Sequence, residues 1–148
     1  MSSAAHEQTE MLVSFRIGAQ LYGLPVAQVK DALRDIEVAP VPLAAEGIVG
    51  IATHREKIVP VLDLRRCFGM AKPPEGASQA VLVVAHADEE IALVVDKVEE
   101  LITARPQDFI RAPATVDESW KRVATEIVRH EGGLLALLNL DGVLGALQ

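Results

Sequence analysis

The sequence predicts a mainly β protein built from short strands and tight turns. Half of the 148 residues are apolar, and only 3% are aromatic. The apolar residues are mostly Val, Leu, Ile and Ala, and Val and Ile at this density favour strands. Short apolar runs separated by turn residues are typical of small barrels or sandwiches. A chain of this length is expected to form one domain or two small lobes with a common core.

The charge balance argues against nucleic acid or a membrane surface as a partner. The net charge is −7, whereas phosphate-rich partners are bound by basic faces.

Cys67 is the single cysteine, so no intrachain disulfide is possible, which fits a reducing cytoplasm. The first ten residues have no apolar core and are not expected to be a secretory signal, and no apolar run is long enough to span a bilayer. We therefore expect a cytoplasmic protein that reaches a membrane only through another protein.

Alternation, turn residues and prolines predict the elements of the first half. Residues 1–10 are polar and are predicted to form a disordered tail. Apolar residues at helical spacing behind Pro25, which suits a first helical turn, predict a helix over residues 25–34. Pro60 inside an apolar run predicts an edge strand or a bulge. Strands are predicted at residues 11–17, 21–24, 47–53 and 58–64, with an extended segment at 36–41.

The second half is predicted to begin after a loop at residues 71–78. The apolar runs at residues 58–64 and 91–98 resemble each other, because each is a strand that ends in an aspartate. This similarity indicates that residues 11–148 form two β lobes, about 11–75 and 76–148. Whether the two lobes exchange terminal strands is an open alternative. The further predictions are a hairpin of residues 80–85 and 91–98, strands within 101–103, 120–130 and 134–140, an irregular segment at 105–118, and a helix at 142–147 capped by Asp141.

No motif for catalysis, nucleotide binding or metal binding is recognisable. GxGxxG, GxxxxGK[ST] and GxSxG are all absent from the sequence. Asp63 and Asp96 end apolar strands, where a carboxylate accepts turn N–H groups, so a structural role is favoured over acid–base catalysis. Cys67 is interpreted as a small buried hydrophobe. The histidines are interpreted as isolated, exposed residues of the tail or of turns rather than metal ligands; they are His6, His54, His86 and His130. We expect no catalytic residue, metal or cofactor.

The segment GIATHREKIVPVLDLRR, residues 50–66, resembles the signature of CheW-type chemotaxis coupling proteins. In that family a glycine-led strand ends in Asn-Leu-Arg-Gly, and the chain returns through Val-Pro-Val-x-Asp-Leu-Arg. Four further segments resemble the family in the right order and extend the resemblance over nearly the whole chain; they are FRIGAQLYGLPVAQVKDALR, LVVDKVEELI, QDFIRAPA and LLALLNLDGVL. The signature positions matched are Gly50, Arg55, Pro60, Val61, Asp63, Leu64 and Arg65.

The departures from the family pattern are concentrated around one turn. Thr53, His54, Arg55 and Glu56 stand where the family has Asn-Leu-Arg-Gly, and Gly47 replaces an aromatic residue. Because Glu56 replaces a glycine, a different backbone shape is expected for the turn. This region is similar to the family's partner-facing surface.

The resemblance implies two SH3-like, five-stranded β-barrel lobes with short helices, packed on a shared apolar seam. It also implies a non-enzymatic adaptor in the cytoplasm, recruited to receptor arrays. The implied partners are the regulatory domain of a CheA-type histidine kinase and the cytoplasmic tip of a chemoreceptor, whose helical hairpin enters the groove between the lobes.

By position in the family, Arg55 is the first candidate for partner binding, since its fork of donors suits carboxylates and carbonyls. The other candidate binding residues are Glu56, Val29, Lys30, Asp31, Ile36 and Val38. The candidate structural residues are Gly50, Pro60, Asp63 and Asp96. Two alternatives remain open: a CheW-like scaffold of another array, controlling pili or a second messenger, and a small β-barrel hydrolase.

Overall fold

A computed structural model describes residues 7–42, 44–111 and 118–145. The described chain forms strands joined by short turns, with three short helices, α1 (Leu64–Cys67), α2 (Glu118–Val123) and α3 (Leu140–Gly145). The strands are β1 (Glu10–Ile17), β2 (Gln20–Pro25), β3 (Val29–Leu33), β4 (Ile48–His54), β5 (Lys57–Asp63), β6 (Ala80–His86), β7 (Glu89–Val95), β8 (Lys97–Ala104), β9 (Phe109–Ile110), β10 (Ala124–His130) and β11 (Gly133–Leu138).

The strands form two sheets. The order is β8-β1-β2-β11-β10-β9 in the six-stranded sheet and β3-β6-β7-β5-β4 in the five-stranded sheet. The prediction of a mainly β fold with short helices is confirmed, although one sheet has six strands where five were expected. Membership of the sheets does not follow the two halves of the sequence, because β1 and β2 join strands from the second half. The division of the chain into lobes near residue 75 stays a prediction.

Strands with two apolar faces build three cores. In β1, Leu12 faces a core that belongs to the six-stranded sheet, while Val13 and Phe15 face a core shared by both sheets. A third core lies within the five-stranded sheet and includes Val59 and Val61. The shared core is the largest; its buried residues are Val13, Phe15, Ile17, Leu24, Leu62, Leu64, Leu82, Val84, Ile91, Leu93, Val95, Leu138, Leu140 and Val143.

The helix predicted over residues 25–34 is wrong. Val26–Gln28 form a single 3-10 turn, and the chain continues as β3, which pairs antiparallel with β6. Burial alternates residue by residue along β3, as a strand requires. The apolar spacing that predicted a helix also fits this period of two. Pairing with β6 satisfies the backbone hydrogen bonds of the segment, so the tertiary context favours a strand over a helix.

One of two predictions near the C-terminus is confirmed and the other is corrected. The strand predicted within residues 120–130 is β10, which starts at Ala124 and follows α2. The terminal helix is capped by Asn139 rather than Asp141, because the Asn139 Oδ1 accepts the Gly142 N–H at 3.1 Å. Asn139 lies between β11 and α3, where its side-chain oxygen can reach the first turn of the helix.

The remaining differences concern tails and loops. Glu10 already belongs to β1, and residues 1–6 of the predicted tail lie outside the described part. The segment 105–118, predicted to be irregular, contains a 3-10 turn at Pro106–Asp108 and the short strand β9. Its residues 112–117 lie outside the described part as well.

Pro60 lies inside the five-stranded sheet rather than on an edge strand. β5 runs between β4 and β7, but its pairing with β7 begins only at Val61. On the other side Pro60 faces Ile51, whose backbone N–H and C=O bond to Ala39 at 2.9 and 2.8 Å. No neighbouring strand therefore needs an N–H from Pro60, which explains how a proline fits at this position.

Gly50 allows the segment around Ala39 to pack against β4. A Cβ at position 50 would collide with the Ala39 carbonyl oxygen and would lie 2.8 Å from Cγ1 of Val38. Backbone cannot give way as a flexible side chain can, so the site requires glycine. This contact holds residues 38–39 beside the edge strand β4, where Ala39 pairs with Ile51.

We predict that Gly50→Ala lowers the free energy of unfolding by about 1–3 kcal/mol, because the added methyl group overpacks the contact with Ala39. Chemical denaturation measures the effect. Gly145→Ala is the matched control, since a Cβ there meets nothing within 4 Å. Equal midpoints for the two variants would show that the contact between Gly50 and Ala39 tolerates a side chain.

Asp63 and Asp96 both accept hydrogen bonds near strand ends. The Asp63 carboxylate caps α1 by accepting the Arg65 N–H at 3.0 Å. The Asp96 carboxylate accepts the Gly18 N–H at 2.7 Å and, from Arg65, Nε at 2.8 Å and Nη2 at 2.7 Å. Arg65 lies in α1, directly after β5 of the five-stranded sheet. Gly18 lies in the turn between β1 and β2 of the six-stranded sheet, so Asp96 links the two sheets. Hydrogen bonds from Arg65, opposed in part by desolvation, lower the pKa of Asp96.

Because its folded pKa is lowered, Asp96 contributes stability that is present above its unfolded pKa of about 4. That contribution is lost as the pH falls through the folded value. We predict that Asp96→Asn lowers stability at neutral pH by about 1–3 kcal/mol and that the difference from the wild type shrinks in acid. Denaturation at several pH values measures it, with the exposed Asp35→Asn as control. A difference that is constant with pH would contradict the role of the charge.

Candidate functional site

The connection between β4 and β5 is a two-residue turn of Arg55 and Glu56. Their φ angles are +52° and +70°, the pattern of a type I′ hairpin turn. Glu56 therefore occupies the left-handed region that glycine enters without strain. The different backbone shape expected from the loss of a glycine is therefore not seen at Glu56, which keeps the positive φ that glycine favours.

A second turn of the same kind lies beside the first. Ala87 and Asp88 connect β6 to β7 with φ angles of +50° and +70°. Because β5 and β7 are parallel neighbours, the turns that precede them lie at the same end of the five-stranded sheet. We call the two turns, Arg55-Glu56 and Ala87-Asp88, the paired-turn end. The Arg55 side chain is 73% exposed there.

His54, at the end of β4, is buried beneath this surface. The residue is 7% exposed. Its Nε2 lies 2.9 Å from Asp31 Oδ2, and its Nδ1 lies 3.3 Å from Glu90 Oε1. The prediction that His54 is an isolated, exposed turn residue is therefore wrong. The period of two along β4, which places His54 on the inward face with Gly50 and Ala52, was the signal that could have identified it.

The contacts of Asp31 connect opposite edges of the five-stranded sheet. Asp31 belongs to β3 and His54 to β4, and these are the two edge strands. Asp31 Oδ2 also lies 3.5 Å from Nη2 of Arg55, and Lys57 Nζ lies 3.9 Å from Glu90 Oε2. The sheet is thus curled until its edges meet at the paired-turn end. The hydrogen bond from His54 is the main cause of the lowered pKa of Asp31.

The other candidate binding residues do not form one cluster at this end. Asp31 and Arg55 are brought together, as described above. Val29 packs against the shared core, while Ile36 and Val38 pack against the core of the five-stranded sheet. These three are half-buried, whereas Lys30 and Glu56 are exposed. Glu90 and Lys57 belong to the same charged network, and sequence reasoning missed both.

Two further histidines also have partners. His86 Nε2 lies 3.1 Å from Asp141 Oδ1, and His130 Nδ1 accepts the Gly132 N–H at 3.1 Å. Their interpretation as isolated turn residues is therefore wrong, while His6 lies outside the described residues. Within the described part of the chain, no group of three or more His, Cys, Asp or Glu side chains is arranged to hold a metal ion. None of the described helices is both long and apolar enough to cross a bilayer.

Two sheets on one shared core, with a charged turn presented at one end, define a small two-sheet β protein. Residues 11–148 match the family model of the CheW-like domain. The chain therefore belongs to the CheW-like domain family, and the resemblance found in the sequence is confirmed.

Named relatives cover nearly the full length of the chain. The chemotaxis protein CheW of Bacillus subtilis is 25% identical over 135 residues, 91% of this chain and 86% of the relative. The chemotaxis protein CheW of Rhizobium meliloti is 26% identical over 147 residues, 97% of this chain and 94% of the relative. The crystal structure of the scaffolding protein TtCheW from Thermoanaerobacter tengcongensis superposes with a TM-score of 0.78 at 26% identity, covering 88% of each chain.

Proposed function

We propose that the protein is a non-enzymatic chemotaxis adaptor that couples a chemoreceptor to a CheA-type histidine kinase. The observation that carries the proposal is the match of residues 11–148 to the CheW-like domain. Relatives named as chemotaxis proteins align over the same length, and the structural relative is named a scaffolding protein. The proposed partners are the regulatory domain of the kinase and the cytoplasmic tip of the receptor.

The surface of the β4–β5 hairpin supports a protein partner. Ile51 and Ile58 are exposed, by 37% and 68% respectively. In the ladder Ile51 faces Pro60 and Thr53 faces Ile58, so these four side chains share one outward face. Arg55 stands at its tip. Exposed apolar residues beside an arginine are the chemistry of protein interfaces, where apolar area and a guanidinium fork supply most of the binding energy.

The chemistry of the described carboxylates and thiol supports an adaptor rather than a hydrolase. Asp96 is engaged by Arg65 and Gly18, and Asp63 caps α1. Burial raises the pKa of the Cys67 thiol to about 11, so the nucleophilic thiolate is scarce at neutral pH. No observation favours the alternatives of a hydrolase or of a scaffold for another array.

We further propose that the protein works in the cytoplasm and reaches receptor arrays through its partners. The net charge of −7 opposes direct adsorption on anionic lipid. Recruitment by a receptor would supply the attraction that the protein surface lacks.

We predict that Arg55→Ala weakens partner binding at least about fivefold while changing stability by no more than about 0.5 kcal/mol, because the side chain is exposed and unneeded for folding. Arg55→Glu should weaken it further, since Glu56 and Asp31 would then add like charge. Titration calorimetry against the kinase regulatory domain and a receptor tip fragment measures both. Arg129→Ala, an exposed arginine of the other sheet, is the control.

The outcomes distinguish a wrong function from a wrongly placed binding surface. If the wild-type protein binds neither partner, the proposed adaptor function is wrong. If it binds both and the Arg55 variants bind equally well, the turn is a solvated loop. The groove near Val29 and Ile36 would then be the better candidate surface.

A further inference from the structure

Glu56 occupies a turn position that its own side chain does not help to form. Its φ angle is +70°, in the left-handed region that glycine enters without strain and that a residue with a Cβ adopts at a cost in free energy. The side chain is exposed, and no hydrogen bond or ion pair joins it to any residue that the structure describes. Nothing in the described part of the chain therefore accounts for a carboxylate at this position.

The cations on either side of Glu56 already have acidic partners. Arg55 Nη2 lies 3.5 Å from Asp31 Oδ2, and Lys57 Nζ lies 3.9 Å from Glu90 Oε2. Both neighbours thus direct part of their charge towards the protein's own carboxylates on β3 and β7. The Glu56 carboxylate has no such neutralising contact with a described residue, so its field is available to attract a partner.

Glu56 is continuous with the surface that carries the apolar chemistry of an interface. It lies at the tip of the β4–β5 hairpin, two residues before Ile58, and Ile58 and Ile51 are both exposed on the outward face of this hairpin. The outward face of a strand pair is an open surface, whereas a single helix is bound in a groove. The hairpin therefore suits a folded domain, and of the two proposed partners this is the kinase regulatory domain.

We propose that Glu56 determines partner specificity by facing a lysine or arginine of the kinase regulatory domain, beside the acceptor that meets Arg55. The inference rests on the proposed adaptor function and adds to it the charge pattern that the partner must carry, an acceptor and a cation side by side. A surface with an acidic group opposite Glu56 is rejected, because binding would bring like charges together. Binding, rather than folding, then accounts for the backbone strain at this position.

Titration calorimetry with the kinase regulatory domain, at about 0.05 M and about 0.5 M salt, tests the role of the charge. At low salt we expect Glu56→Gln to weaken binding at least about threefold and Glu56→Lys at least about tenfold. At high salt the difference between Glu56→Gln and the wild type should shrink, since counterions screen the attraction between the two charges.

A third variant separates binding from folding. Glu56→Gly should weaken binding as Glu56→Gln does, because both remove the carboxylate. Its unfolding midpoint should be no lower than that of the wild type, because glycine adopts this φ without strain. A variant that folds at least as well and binds less tightly shows that the side chain serves the partner.

Two control variants test backbone shape and net charge separately. Ala87→Gly relieves the same kind of strain in the neighbouring turn, at a φ of +50°, and changes no charge. Glu131→Gln removes an exposed carboxylate from the turn between β10 and β11. Both variants should bind the kinase domain as the wild type does.

Failure of the inference differs from failure of the function on which it rests. If the wild type binds the kinase domain and Glu56→Lys binds it as tightly, Glu56 is a solvated turn residue; the inference is then wrong while the adaptor function is retained. A loss of affinity that is equal at both salt concentrations, or one that affects only a receptor tip fragment, overturns the inference in the same way. A wild-type protein that does not bind the kinase domain would overturn both.

Discussion

The fold depends on strands that are apolar on both faces and must therefore be covered on both. β1, β5, β6 and β7 each contribute residues to the shared core and also to a core of their own sheet. A single open sheet would leave one of these faces in water. Two curled sheets that pack on each other solve this, and the link from Arg65 through Asp96 to Gly18 joins them at their border.

Curling also determines where polar chemistry can occur. Inside the five-stranded sheet the inward positions of β4 are small or apolar until its last residue, His54. There the two edge strands meet, and a buried imidazole between two carboxylates replaces the backbone pairing that edges lack. The apolar interior thus ends in a charged network, and the network lies directly beneath the exposed Arg55. This arrangement connects the packing of the five-stranded sheet to the surface proposed for coupling.

Sequence reasoning predicted what depends on local alternation and turn chemistry, and failed where distant strands decide. The strands around Phe15, Val61 and Leu93 were predictable because apolar runs report burial directly. The segment of β3 was mistaken for a helix because its partner, β6, is about fifty residues away in the sequence. The partners of His54 were missed for the same reason: Asp31 and Glu90 meet it only after the sheet curls. Arg55 was placed by family resemblance, and its exposure agrees with that role.

This chain is proposed to transmit the state of a receptor to a kinase. The autophosphorylation rate of a CheA-type kinase, determined with and without receptor and with and without this protein, tests that role. Receptor should change the kinase rate only when the protein is present, because neither partner couples efficiently without the adaptor. A kinase rate that responds equally to receptor in the absence of the protein would contradict a coupling role.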